Sequence, residues 1–115
     1  MIINIGKNKL TVVMADNSSA KALEGLLKNG NITIDMHDYG NFEKVGKLPK
    51  SLPRNDEEIT TKPGDVILYQ SNQLTIYYDT NTYNFTRIGH IENITQAELE
   101  RILGMEDVTV RLSLN

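Results

Sequence analysis

The chain has 115 residues, of which 39% are apolar and 23% are charged, a composition typical of one soluble globular domain. The net charge is −3 and no basic run or stripe is present, which argues against a nucleic-acid partner. The sequence contains no cysteine, so disulfides and thiolate metal sites are excluded. The apolar start, "MIINI", is too short for a signal peptide or a membrane span, and we therefore expect a cytoplasmic protein that does not engage a membrane.

The N-terminal part of the chain predicts a hairpin, a helix and a strand. "MIINI" and "LTVVM" are β-rich runs around the turn "GKNK". A helix follows, with Asn17, Ser18 or Ser19 as its cap and Gly30 as its C-terminal stop. "NITIDM" alternates apolar and polar residues, which is typical of a half-buried strand.

The segment from His37 to Glu58, "HDYGNFEKVGKLPKSLPRNDEE", follows neither a helical nor a strand period. It contains prolines, glycines and many charged side chains, and it predicts a long irregular loop. Loops of this length inside a small domain are usually functional or disordered.

The C-terminal half predicts more strands and a second helix. "EITTKPGDVILYQSNQLTIYYD" contains strands broken by turns at residues 63–65 and 71–72, and "YNFTRIGHI" is a further strand. In "ITQAELERILG", Thr95 and Glu98 form a capping box and Gly104 ends the helix. "DVTVRLSL" is the last strand. About seven or eight strands with two short helices predict a mainly β protein, a closed antiparallel barrel formed by a single domain over residues 1–115.

The two histidines do not predict a metal site. His37 and His90 are far apart in sequence, although Asp38, Glu43 and Asp56 could join them in space. We therefore predict no metal and no cofactor. A Ser–His–Asp arrangement is a further alternative, but no Gly-x-Ser-x-Gly elbow supports it, and no phosphate loop or dinucleotide fingerprint is present.

Aromatic residues gather around an arginine in the C-terminal half. They are Tyr69, Tyr77, Tyr78, Tyr83 and Phe85, and they flank Arg87. Because Tyr77 and Tyr78 are adjacent in a strand, they must point to opposite faces, one to the core and the other to a surface or pocket.

The same alternation assigns two faces to the strand "FTRIGHI". It places Phe85 and Arg87 on one face and Ile88 and His90 on the other. Arg87 could stack on an aromatic ring, hold a carboxylate or donate to a substrate carbonyl. Alternatively it meets solvent or pairs with Glu43.

Four segments in this order resemble the small prokaryotic cyclophilin-like domain family: "NFEKVGKLPKSLP", "PGDVILY", "LTIYY" and "FTRIGHI". The resemblance covers nearly the whole chain, and it implies a closed eight-stranded barrel capped by two helices. It also implies that the proline-containing loop is ordered and packed over the barrel, since each proline lowers the entropy lost on ordering.

The resemblance leaves three hypotheses about function. In the first, the domain binds an unknown small molecule or peptide without catalysis, using the side chains Glu43, Tyr69, Tyr78, Phe85 and Arg87. In the second, it is a weak peptidyl-prolyl isomerase, with Arg87 as the electrophilic donor and Phe85 in the proline pocket. True cyclophilins use a Phe-His-Arg motif, and Thr86 stands here where their histidine would be. In the third, it is an accessory domain of a flavodoxin-type redox system.

The surroundings of Glu43 would distinguish a structural role of the loop from a role in binding. If Glu43 and Arg87 are buried together, we expect removal of either to cost roughly 3–5 kcal/mol, and the loop would be structural. If they are exposed in a groove, we expect a cost below about 1 kcal/mol and an effect on binding alone.

Overall fold

The computed structural model describes residues 1–40, 43–104 and 106–115. Nine strands and two helices occur in these ranges. In chain order they are β1 (Ile2–Ile5), β2 (Asn8–Met14), α1 (Ser18–Leu27), β3 (Ile32–Tyr39), β4 (Glu43–Lys47), β5 (Glu57–Thr60), β6 (Asp65–Tyr69), β7 (Gln73–Tyr77), β8 (Thr82–Ile91), α2 (Gln96–Leu103) and β9 (Val108–Ser113).

Eight of the strands close into an antiparallel barrel. The strand order is β2-β1-β9-β3-β4-β7-β6-β8, and β2 also pairs with β8, which completes the ring. The strand β5 pairs only with the first half of β8, from Glu57 opposite Phe85 to Thr60 opposite Thr82, and it lies outside the ring. The prediction of a mainly β, closed antiparallel barrel with two short helices is confirmed, and β5 is the one strand beyond the eight.

The stretch that lacks any period in the sequence is largely β-structure. The strand β3 continues to Tyr39, and β4 pairs with it, His37 lying opposite Val45. The prediction of one long irregular loop from His37 to Glu58 is therefore wrong. The prediction failed because β4 is buried on both faces, so that its sequence does not alternate between apolar and polar residues. Asn41 and Phe42, which begin the family motif, lie outside the described residues.

The shorter loop that remains, residues 48–56, is packed on the barrel, as the family resemblance implies. Leu48 and Leu52 are buried, and their backbone amides donate to the carbonyl oxygens of Asn72 and Ser71 at 2.7 and 2.8 Å. The side chain of Asn55 donates to the Ser19 hydroxyl at 2.8 Å, which ties the loop to α1.

Both helices begin as their sequences predict. The Asn17 side chain accepts a hydrogen bond from the amide of Ala20 at 2.8 Å and caps α1. Thr95 and Glu98 form the reciprocal capping box of α2. The backbone of Gly104 has a φ of 67°, a left-handed conformation that glycine adopts without strain, and α2 ends there.

Apolar side chains form two clusters on opposite faces of the sheet. The larger fills the barrel and includes Leu74, Ile76 and Tyr78. The smaller one consists of Ile59, Ile67, Tyr77 and Phe85, with Tyr69 packed against it. Because successive residues of a strand point to opposite faces, this second cluster lies on the outer face of the barrel. An apolar outer face on the strands β6, β7 and β8 positions the candidate site.

Candidate functional site

A pocket of about 400 Å³ lies against this outer aromatic cluster. The strands β3, β4, β6, β7 and β8 all contribute to it. Half of its lining side chains are aromatic: Tyr39, Tyr69, Tyr77, Tyr83 and Phe85. The others are Glu43, Val45, Gln73, Thr75 and Asn81. Among the described residues, the pocket is therefore lined half by aromatic rings and carries a single carboxyl group, that of Glu43.

Strand alternation explains which residues reach the pocket. Along β7, Gln73, Thr75 and Tyr77 line it, whereas Leu74 and Ile76 point into the barrel. Residues of β4 alternate in the same way: Glu43 and Val45 line the pocket, and the intervening Lys44 does not. Since β4 pairs with β7, with Glu43 directly opposite Tyr77, the carboxyl group and the phenol come from adjacent strands.

The aromatic rings meet at steep angles. Phe85 is central, because its ring centroid lies 5.6 Å from that of Tyr77, 5.5 Å from that of Tyr83 and 6.2 Å from that of Tyr69. The rings of Tyr69 and Tyr83 are 6.0 Å apart. The interplanar angles in these pairs run from 52° to 70°, so the rings are tilted or edge-to-face and not stacked.

Glu43 is buried at the wall of the pocket, with 7% of its surface exposed. The pKa of its carboxyl group is raised from 4.5 to about 7, chiefly because of burial; a hydrogen bond with the Tyr77 phenol lowers this pKa in part, and the negative charge of Asp38 contributes to the rise. Burial also raises the pKa of Tyr77, so the phenol stays protonated. Asn81 donates to the Tyr77 hydroxyl at 3.4 Å.

The structure brings together three of the five residues expected to bind a ligand. Glu43, Tyr69 and Phe85 line the same pocket, whereas Tyr78 and Arg87 are not part of its lining. Tyr77 and Tyr78 do point to opposite faces, as predicted, but Tyr77 is the one at the pocket and Tyr78 packs in the barrel core.

Tyr78 belongs to a polar network at the other face of β4. Its hydroxyl donates to the carboxylate of Asp38. The Lys44 ammonium lies 3.4 Å from the same carboxylate and donates to the backbone oxygen of Glu106 at 2.7 Å. Lys44 is fully buried, and these contacts compensate its charge.

Arg87 pairs with Asp65 and not with Glu43. Its guanidinium lies 3.0 Å from Asp65 Oδ1, and His90 Nδ1 lies 2.7 Å from that same oxygen. The prediction that Arg87 and His90 occupy opposite faces is wrong, because an irregularity in the pairing of β6 with β8 interrupts the alternation. Ile88 and Ile91, three residues apart, both point into the core.

Asp65 is the centre of a structural cluster. In addition to its contacts with Arg87 and His90, the Asp65 carboxylate accepts a hydrogen bond from the backbone amide of Lys62 at 2.9 Å, which closes the turn at residues 62–65. Although the Asp65–His90 contact resembles half of a catalytic triad, no hydrogen bond joins His90 to a hydroxyl group among the described residues. In the same residues, no group of three His, Asp or Glu side chains could hold a metal ion.

No helix in the described part of the chain is long and apolar enough to cross a membrane.

Together, the closed eight-stranded antiparallel barrel, its two helices and its aromatic outer face define a class of small barrel domains with a lateral pocket. A family model, the Cyclophilin-like family, matches residues 3–113, and the chain therefore belongs to this family. No curated protein and no solved structure matches the chain.

The sequence interpretation did not single out Tyr39, Tyr77 and Tyr83 as lining residues. Tyr39 lies at the end of β3, inside the stretch that shows no period. Tyr77 could have been found, because it shares a face with Thr75 and Gln73, both polar, whereas Tyr78 shares one with Leu74 and Ile76.

Proposed function

We propose that the domain binds a small organic molecule or a peptide side chain in the outer aromatic pocket, without catalysis of its own. The observation that carries the proposal is the convergence of five aromatic side chains and one buried carboxyl group around about 400 Å³. Ligand pockets of proteins commonly measure about 300–1,000 Å³ and combine apolar walls with a few polar groups that orient the ligand.

Ligand binding is preferred to prolyl isomerisation because of where Arg87 lies. An isomerase needs a donor directed at the amide that twists, and the guanidinium of Arg87 is engaged 3.0 Å from the buried Asp65. Arg87 is also absent from the lining of the pocket. We expect no acceleration of cis–trans exchange of an X-Pro peptide in NMR exchange spectra. Acceleration that disappears in Arg87→Ala would replace the binding proposal with the isomerase.

The direct test is a ligand screen followed by amide chemical-shift mapping. We expect hits to shift the amides of β4, β6 and β7. Tyr83→Ala should weaken those hits, and it should leave the fold intact because the side chain is 55% exposed. The matched control is Val13→Ala, which truncates an apolar side chain that is 56% exposed and does not line the pocket. A broad screen without shifts in the pocket strands, or hits that Tyr83→Ala does not weaken, would contradict the proposal.

A further inference from the structure

The charge of the pocket restricts the chemistry of its ligand. Among its described lining residues Glu43 is the single acid, and no lysine, arginine or histidine is present. The positive charge of Arg54 acts on Tyr69, but the Arg54 guanidinium is paired with Asp56, and its Nε lies 2.8 Å from Asp56 Oδ2. An anionic ligand would therefore meet a carboxyl group without a compensating cation.

The carboxyl group of Glu43 has no cation as its partner among the described residues. It is hydrogen-bonded to Tyr77. An ionised carboxylate accepts about four hydrogen bonds, and its burial is costly unless a cation or several donors compensate it. A positively charged ligand group in the pocket would supply this compensation.

The aromatic rings favour the same kind of ligand. The face of a tyrosine or phenylalanine ring carries negative electrostatic potential and attracts a cation within about 6 Å of its centroid. Centroid separations of 5.5–6.2 Å allow one cation beside the cluster to lie within that range of two or more rings. Groups of rings around a carboxylate are well suited to quaternary alkylammonium ions, whose methyl groups make them more weakly hydrated than the ammonium group of unmodified lysine.

We propose that the ligand of this pocket carries a quaternary alkylammonium group, which lies against the rings of Tyr69, Tyr77, Tyr83 and Phe85 with Glu43 as its counter-ion. The inference rests on the proposed function, whose ligand class it specifies. The ammonium group can belong to a small quaternary amine or to the methylated lysine of a peptide, because both present the same cation to the rings.

The test compares two molecules of nearly the same shape and different charge. Choline is the cation, and 3,3-dimethylbutan-1-ol is its neutral isostere. Titrations followed by amide chemical shifts should give an affinity for choline about tenfold higher than for the alcohol. That preference should disappear in Glu43→Gln and remain in Glu100→Gln, which removes the same charge from an exposed position on α2 outside the lining. Tyr83→Leu, which keeps an apolar side chain and removes the ring, should weaken choline more than the alcohol.

A second pair of probes distinguishes the two sources of the cation. Tighter binding of a trimethyllysine peptide than of choline, with no binding of the unmethylated peptide, would indicate a peptide ligand. Binding of choline without the peptide would indicate a small amine.

Two outcomes would overturn the cation inference and leave the proposed function standing. In the first, choline and the alcohol bind with equal affinity. In the second, neither choline nor the trimethyllysine peptide binds, although the ligand screen finds other molecules that occupy the pocket. An empty screen overturns both proposals. Should Glu43→Gln not fold, the comparison of Tyr83→Leu with wild type still decides the outcome.

Discussion

Replacement of Glu43 by glutamine should stabilise the protein at alkaline pH and not at acidic pH. Glutamine is neutral and has nearly the shape of the protonated acid, so the variant is expected to keep the contact with Tyr77. In wild type, the carboxyl group is 7% exposed and its pKa is raised to about 7 by burial, with a further contribution from Asp38.

The sign follows from proton binding. The ordinary pKa of the carboxyl group is 4.5, and its pKa in the folded protein is about 7. Between these two pH values the folded protein holds the Glu43 proton more tightly than the unfolded chain does. The free energy of unfolding of wild type therefore falls as the pH rises through this window, and the loss is complete above the folded pKa. A rise of the pKa from 4.5 to about 7 corresponds to a loss of about 3 kcal/mol.

The assay is urea unfolding, followed by circular dichroism because the chain contains no tryptophan. Measurements at several pH values between about 4.5 and 8 give the free energy of unfolding for wild type and Glu43→Gln. The two should be similar near the acidic end, and the variant should be the more stable at the alkaline end by up to about 3 kcal/mol. The control, Glu100→Gln, removes an exposed carboxylate and should differ little from wild type at any pH.

A difference between Glu43→Gln and wild type that stays constant over this range would refute the reasoning. It would mean that the carboxyl group reaches water or a cation in the folded state, so that its burial no longer disfavours the charge. Direct titration of the Glu43 carboxyl carbon by NMR separates this result from a compensating change elsewhere.

Two further predictions concern the packing of β4. Lys44→Ala should lower the free energy of unfolding by roughly 3–5 kcal/mol, because it leaves the Asp38 carboxylate without its cation and also removes the buried apolar stem of the lysine. Lys44→Met removes the cation too but keeps a stem of similar length, so it should cost less than the alanine variant. Chemical denaturation measures both, and an alanine variant within about 1 kcal/mol of wild type would show that the pair is not important for stability. Gly46→Ala should cost about 1–3 kcal/mol of stability, because the added Cβ would overlap the side chain of Ile34, whereas the Cβ added by Gly25→Ala in α1 meets no atom within 4 Å and should stabilise the protein by about 0.5–1 kcal/mol. The melting temperatures of the two variants should therefore shift in opposite directions, and equal shifts would contradict the packing at Gly46.

The local signals of the sequence were sufficient for the caps at the start of both helices, for the end of α2 at Gly104 and for the class of fold, whereas α1 ends at Leu27, before the predicted stop at Gly30. Asn17 and the pair Thr95 and Glu98 cap their helices through hydrogen bonds to residues three positions away, so these contacts depend on the immediate sequence alone. The alternation in β3 and β9 also comes directly from one buried face and one exposed face. Enough strands with this signal, and only two helices to cover them, predict a closed barrel.

The candidate site depended on contacts between distant parts of the chain. The strand β4 shows no alternation because both of its faces are covered, by the barrel core on the side of Gly46 and by the aromatic pocket on the side of Glu43. Arg87 could not be assigned its partner from alternation, since an irregular pairing with β6 brings it and His90 to one oxygen of Asp65.

Residues close in the chain thus specify the helix caps and the alternating strands, and with them the mainly β architecture. The position of Glu43 opposite Tyr77, and the meeting of Tyr69 and Phe85 at the same pocket, follow instead from the closure of the barrel. Burial sets the pKa of Glu43 and strand pairing sets the direction of each side chain, and both depend on which strands become neighbours in the closed barrel.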